Sequence, residues 1–568
     1  VRNTVVGANA MPTNVSGGDN VAIGYKALHD AANNSQNTAV GVKALFEVAY
    51  TPGNVGVGFE AGYYVNAGYN TFLGWRAGKG TALNVPTYNV GVGSSALLVL
   101  TTGVNNTVMG AFAGDAATVV SGSVFLGYYA GSTVTTGNNN IAVGNAAMNG
   151  GATTGDNNIA IGVSAGGALT SGRENIFMGT DAGAAVSSGL LNIGIGRNAL
   201  KATTTGNGIV AVGHDAISTG DPDSDTVAFG NSALMNAAAG SLRNTALGHQ
   251  AGADHTAGDD CVYVGTNTGM QNRSGNNNTY VGSQAGEGVD NNSNHENVSV
   301  GMQSLHVITT GGANTALGTY AGIALTTASG SVIIGGDSGK TITTGNQNIA
   351  IGLDAMSGGT VTGDNNIAIG RSAGDGLTSG NRNIFMGKDA GGQLATGVQN
   401  IAIGDSALDA ADGAEDYNIA IGNNALGTLN HNGAQYNIAI GADSVAGGTA
   451  ELLGVVAIGQ VAGQGINSAD ANYTVAVGYS ALRNNTSGIG NVAVGYAALS
   501  VEDDGDFNTA IGYQALTAQT GTTGTVGNTA VGYQSGVAVT SGVHNTLLGK
   551  SAAAALQTGG YNVAIGGN

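Results

Sequence analysis

Side chains able to do chemistry are sparse in this sequence and do not converge. Carboxylates cluster twice, in Asp221-Pro-Asp-Ser-Asp225 and in Glu502-Asp-Asp-Gly-Asp506, and grouped carboxylate oxygens are what Ca2+ takes. Neither run has the ligand spacing of an EF-hand loop or the Asp-bearing nonapeptide of calcium-binding β-rolls, so both read as solvated acidic loops. The eight histidines, His29, His214, His249, His255, His295, His306, His431 and His544, show no HxH or HxxxH spacing, and no zinc site is expected. Cys261 is the only cysteine; it cannot form an intrachain disulfide and reads as a small buried residue. Segments such as Gly56-x-Gly58-x-x-Ala61 and Gly194-x-Gly196-x-x-Ala199 imitate a dinucleotide fingerprint. They recur too often to be a phosphate loop between a strand and a helix. No Ser/His/Asp, Cys/His or paired-carboxylate set has the spacing catalysis needs. The expectation is a protein that is not an enzyme, with no cofactor and no metal.

What positions every side chain here is a repeat. The unit is Asn348-Ile-Ala-Ile-Gly352: Asn, then Ile/Thr/Val, a small residue, a large aliphatic and a closing Gly. It returns 33 times, and 21 of the 32 intervals are 17 residues, the others running from 16 to 20. A fixed short period marks a solenoid. Glycine in every unit and the absence of a lasting 3.6-residue stripe disfavour helices. The pattern predicts an all-β protein, a parallel β-roll or β-solenoid of about 17 residues per coil, with two short strands and two turns per coil. Residues 1–568 are expected to form a single continuous solenoid of 33 coils, with no separate globular domain. At about 4.8 Å per coil that is a rod roughly 155 Å long. Residues 140–200 and 348–408 match at an offset of 208, sharing TGDNNIAIG and NIFMG, as if a block of coils had been duplicated whole. Longer coils precede Gly93, Gly301, Gly441, Gly478 and Gly532, and their extra residues must bulge into loops, since core strands cannot slip register.

Alternation along the strand assigns faces. The second and fourth positions are expected to form an inward aliphatic row. The third position would then face outward, yet it is Ala or Gly in most units and large in others, including Phe72, Phe125, Phe177, Tyr263, Tyr280 and Phe385. Apolar residues on both faces mean a strand covered on both sides. Either a flattened roll buries these residues internally, or they pack against another chain. We favour packing between chains, in a three-fold homo-oligomer. The first position is Asn in 26 of 33 units, among them Asn20, Asn37, Asn140, Asn158, Asn348, Asn366, Asn400, Asn418, Asn508 and Asn528. In a parallel stack such amides align and hydrogen-bond one above the next, a structural ladder. Aromatics follow the closing Gly at Tyr25, Phe59, Trp75, Tyr128, Tyr479, Tyr496, Tyr513 and Tyr533. The last four serve either as packing within the roll, which we favour, or as a glycan-stacking platform.

Composition narrows the partners. A net charge of −19 and a pI near 4.5 argue against nucleic acid and against an anionic membrane surface. No run of 18 apolar residues exists, so no membrane insertion is expected. The chain opens at Val1 without a signal-peptide pattern, and reads as a mature or truncated piece.

The units Asn508-Thr-Ala-Ile-Gly-Tyr-Gln-Ala-Leu516 and Asn528-Thr-Ala-Val-Gly-Tyr-Gln-Ser-Gly536 resemble the NTAIGYQAL repeats of long phage tail-fibre proteins. The Ala-Ile-Gly core is also similar to the head repeats of trimeric autotransporter adhesins, which are left-handed β-rolls. The coils here are longer than the adhesin repeat and lead with Asn. The resemblance implies a left-handed roll, a homotrimeric rod, an extracellular place on a virion tail fibre or a cell surface, and attachment to host or surface glycans. A self-assembling structural filament or surface-layer component without a specific receptor is the alternative.

Overall fold

In a computed structural model the chain is an all-β parallel solenoid of about 32 turns at about 17-residue spacing. The structure describes residues 2–48, 51–82, 85–289, 292–446, 448–520 and 524–567. Backbone contacts divide the chain into two compact units, Val1–Asn278 and Thr279–Asn568. The first stacks three-residue strands from Thr4–Val6 to Val262–Val264, and the second from Thr279–Val281 to Val563–Ile565. The described residues contain no α-helix, only a single 3-10 turn at Ala469–Ala471 on the Ser468 cap.

Within each unit, the strands pair in parallel with the equivalent strand of the next coil. Ile349, Ala350 and Ile351 face Ile367, Ala368 and Ile369, and the register is the same in coil after coil. It survives long intervals: Phe72 still faces Gly91, and Ala510 faces Ala530. The added residues lie outside the strands, as expected, although 83–84, 290–291 and 521–523 fall outside the described residues.

Two expectations are corrected. The first concerns strands per coil: one three-residue strand is regular, and the segment after the closing Gly is not a second strand. There Asp354 and Met356 take left-handed backbone angles, φ 55 and 50, which no β-strand allows. The segment is still tied to its neighbours, Asp354 N–H donating to Gly336 O at 3.3 Å and Met356 N–H to Ala373 O at 3.0 Å. The closing glycine makes the corner. Gly352 has φ +131, and a Cβ there would lie 2.6 Å from the Gly370 carbonyl oxygen of the coil above.

The second correction concerns which face is inside. Phe72, Phe125, Phe177, Tyr263, Tyr280 and Phe385 are all fully buried within the chain's own coils, not presented to a partner. The second and fourth positions, expected inside, lie on the outer face, for example Ile23 at 37% and Leu247 at 48% exposure. The reason is the ladder asparagine. It shares a face with the third position, two residues on, and its amide must reach the coil interior to find its partners. A one-residue change in that assignment exchanges every side chain between the faces.

Inside, volume is balanced between two positions. Where the third position is Ala, the residue four after the closing Gly is often Leu, as with Ala402 and Leu408, both fully buried. Where it is aromatic, that residue is Gly: Phe72 with Gly78, Phe125 with Gly131, Phe177 with Gly183, Phe385 with Gly391. The interior is close-packed, so one large side chain per pair is all it admits.

Candidate functional site

The asparagine column is the most regular polar feature. Asn366 Nδ2 donates to Asn348 Oδ1 at 3.1 Å and to the Gly380 carbonyl at 2.9 Å, while its backbone N–H donates to Asn348 Oδ1 at 2.9 Å. The same contacts join Asn158 to Asn140, Asn37 to Asn20 and Asn400 to Asn383. Backbone N–H groups of Asn418 and Asn528 reach Asn400 and Asn508 in the same way. Every such amide is buried with its hydrogen bonds made, so the column holds coils together and offers nothing to a ligand. Cys261 stands in this column, buried and free, and its thiol donates to the Gly275 carbonyl at 3.1 Å where an Asn would. Burial pushes that thiol's pKa up, which keeps it unreactive.

A second interior position, six residues before the ladder, is aliphatic in most coils but polar in a few. Five polar occupants bond the backbone three residues on: Asn14 with Gly17, His255 with Gly258, Asn272 with Gly275, Asn485 with Gly488 and Glu502 with Gly505. This accounts for the acidic loop at 502–506. Glu502 Oε1 accepts from the N–H groups of Asp503, Asp504 and Gly505 at 3.1, 3.3 and 2.8 Å. Glu502, Asp503 and Asp504 bring carboxylate oxygens within 4.8 Å of one another and are the residues that could hold a cation. Burial raises the Glu502 pKa, and the carboxyl acts as the cap of its own turn. In the other acidic run, Asp221 accepts from Thr204 N–H at 2.7 Å and Asp225 N–H donates to Asn207 O at 3.0 Å.

Tyr479, Tyr496, Tyr513 and Tyr533 form an exposed column. Consecutive rings lie 5.3, 5.0 and 5.3 Å apart at 10–11° between planes. A sugar stacks on a ring face, and here the faces of Tyr496 and Tyr513 are already given to their neighbours. Stacking of ring on ring between coils is what these distances show.

A cluster that the sequence reading missed lies on the first coils. His29, Phe46 and Tyr63 stack at 4.8 and 4.7 Å, and Phe59 lies parallel to Trp75 at 6.4 Å. Between these two columns sit cations: Lys26 is 5.9 Å from the Phe46 ring, Lys43 5.8 Å from Tyr63, and the Arg76 guanidinium 4.4 Å from Trp75. Glu60, nearly buried, is held by Lys79 at 3.0 Å, Arg76 at 3.1 Å and Lys43 at 4.0 Å. Burial pushes the Glu60 carboxyl up, but the Lys79 and Arg76 charges outweigh it and its pKa is lowered. The signal was present in the sequence: residues one, two and five after the closing Gly read Tyr25-Lys26-His29, Phe59-Glu60-Tyr63 and Trp75-Arg76-Lys79.

The outer sheet face is the remaining surface. Its second and fourth positions are Ile, Val, Thr, Leu, Met and, at 229, Phe, without a charge at any of them in the described strands. No helix among the described residues is long and apolar enough to cross a membrane. Comparison with protein-family models and with curated proteins finds no match to this chain.

Proposed function

We propose that the chain is a non-enzymatic structural and adhesive element, the shaft or head of an extracellular attachment fibre, built by three copies and binding surface glycans. The observation that carries this reading is the outer sheet face. Parallel sheets occur almost always with both faces covered, yet in each unit one face is an uncharged row of half-exposed aliphatics such as Met178, Leu317 and Met386. Only an occupant as long and as regular as the stack covers such a face throughout, and a second copy of this chain has that period. Burying the rest of each aliphatic is worth on the order of 1 kcal/mol. About two dozen of them outweigh even the upper end of the roughly 4–15 kcal/mol lost in association. Side chains on the turns stay outside such an interface and are free to meet a cell surface, where repetition supplies avidity.

Sedimentation equilibrium of the purified protein tests the assembly, and retention on whole cells tests the adhesion. A trimer that cells retain is the expected result. A monomer at micromolar concentration overturns the interface. End-to-end polymers that no cell retains overturn attachment in favour of the filament.

A further inference from the structure

We infer that the basic and aromatic platform on the first coils is the glycan site, and that its ligand is an acidic polysaccharide bearing carboxylate or sulfate groups. The inference rests on the attachment reading and names the place and the chemistry. Residues 1–79 carry 5 of the 16 Lys and Arg residues and only 4 of the 35 carboxylates, so this stretch is +1 in a chain of net charge −19. It also holds 9 of the 29 aromatic residues and the single tryptophan.

Placement turns that bias into a surface. Lys26, Lys43, Arg76 and Lys79 are part-exposed on one side of consecutive coils, beside Trp75 and Tyr25, each 46% exposed. Glu60 draws Lys43, Arg76 and Lys79 together and neutralises one charge of the three. The remaining nearby carboxylates are Asp30, which meets His29 Nδ1 at 2.8 Å, and Glu47, whose pKa is raised by burial and by Asp30.

In this platform the Trp75 ring is met by Phe59 at 6.4 Å and by the Arg76 guanidinium at 4.4 Å, so indole and cation form one surface. The position above Trp75 in its column is Ser94, which is too small to cover an indole. An aromatic face beside fixed cations suits a sugar ring carrying an anionic group: the C–H face lies on the indole while the acid meets Lys or Arg. Four coils at about 4.8 Å give a track of about 14 Å, long enough for an oligosaccharide. The rest of the chain, being acidic, repels the same ligand.

The test titrates the full-length protein with dextran sulfate and with polygalacturonate, using dextran as the neutral control. Trp75 fluorescence and calorimetry are the readouts. Both acidic polymers are expected to bind and to shift the fluorescence, with dextran silent. Trp75→Ala, read by calorimetry, and the pair Lys43→Gln/Lys79→Gln are each expected to weaken binding about tenfold, while Tyr496→Ala leaves it unchanged. Unaltered melting of the variants shows that their coils are intact. Equal affinity for dextran, undiminished binding by both platform variants, or tighter binding of an oligothymidylate than of either polysaccharide overturns the inference. Whole-cell retention separates it from the reading beneath it. Retention that survives both platform variants sinks the site and leaves attachment standing. Polymer binding without retention on any cell sinks attachment and leaves the site.

Discussion

Phe385 and Gly391 share one space inside the coil: a Cβ on Gly391 would lie 2.5 Å from the Phe385 ring. The next coil solves the same problem in reverse, with Ala402 on the strand and Leu408 on the turn. Leu408 holds φ 53, close to the φ +59 of Gly391, so the backbone there accepts a side chain and only the ring forbids it. Gly391→Ala is expected to cost about 1–3 kcal/mol through overpacking, and Phe385→Ala about 3–5 kcal/mol through the cavity. The exchange Phe385→Ala/Gly391→Leu should recover most of the loss. Thermal midpoints of the three variants check this, and additive losses in the double variant would refute the shared space.

The ladder can be probed at Asn366, whose Nδ2 serves both Asn348 Oδ1 and the Gly380 carbonyl and whose Oδ1 accepts from Asn383 N–H at 3.1 Å. Asn366→Ala takes this partner from the buried Gly380 carbonyl and Asn383 N–H, at about 1–3 kcal/mol each before relaxation, while Asn348 Oδ1 keeps the Asn366 backbone N–H. Asn366→Asp removes the donor and buries a charge, and is expected to be worse at neutral pH. The order Asn, Ala, Asp in thermal midpoint is the prediction, and Asp equal to Asn would contradict it.

Glu502 gives a pH dependence with a definite sign. Its pKa is raised by burial, so the fold favours the protonated carboxyl. Its contribution is complete below the ordinary carboxylate pKa and is lost as the pH climbs through the raised value. Glu502→Gln keeps an acceptor for the N–H groups of Asp503, Asp504 and Gly505 without the charge. The variant should melt higher than the parent at pH 7 and equal to it near pH 4. Melting curves across that range decide the matter, and a lower midpoint at pH 7 would mean the ionised carboxylate is needed, as a bound cation would require.

The outer face separates assembly from folding. Ile369 and Met386 project outward from neighbouring strands, whereas Phe385 beside them points in. Ile369→Lys/Met386→Lys is expected to reduce the molar mass to that of one chain with far-ultraviolet dichroism unchanged. Phe385→Ala should instead lower the melting midpoint. A double-lysine variant that keeps the parent's mass would remove this face from the interface.

The period was legible in the sequence because every coil repeats the same local demands. Gly352 must turn a corner where a Cβ meets the Gly370 carbonyl, and Asn348 must bond Ser331 in the coil before it and Asn366 in the coil after it. Such requirements are set by near neighbours, so they leave a mark every 17 residues. Which face lies inside was not legible from alternation alone, since Ile349 and Ile351 are as apolar as any core residue. Only the tertiary structure decided it, because the Asn amides must reach carbonyls 14 or 15 residues on, across the interior. That interior then admits one large side chain per strand and following turn, on the strand as at Phe385 or on the turn as at Leu408. The platform at Trp75 and Lys79 left its residue types in the sequence but not its surface: residues on four successive coils become neighbours only once the coils lie over one another.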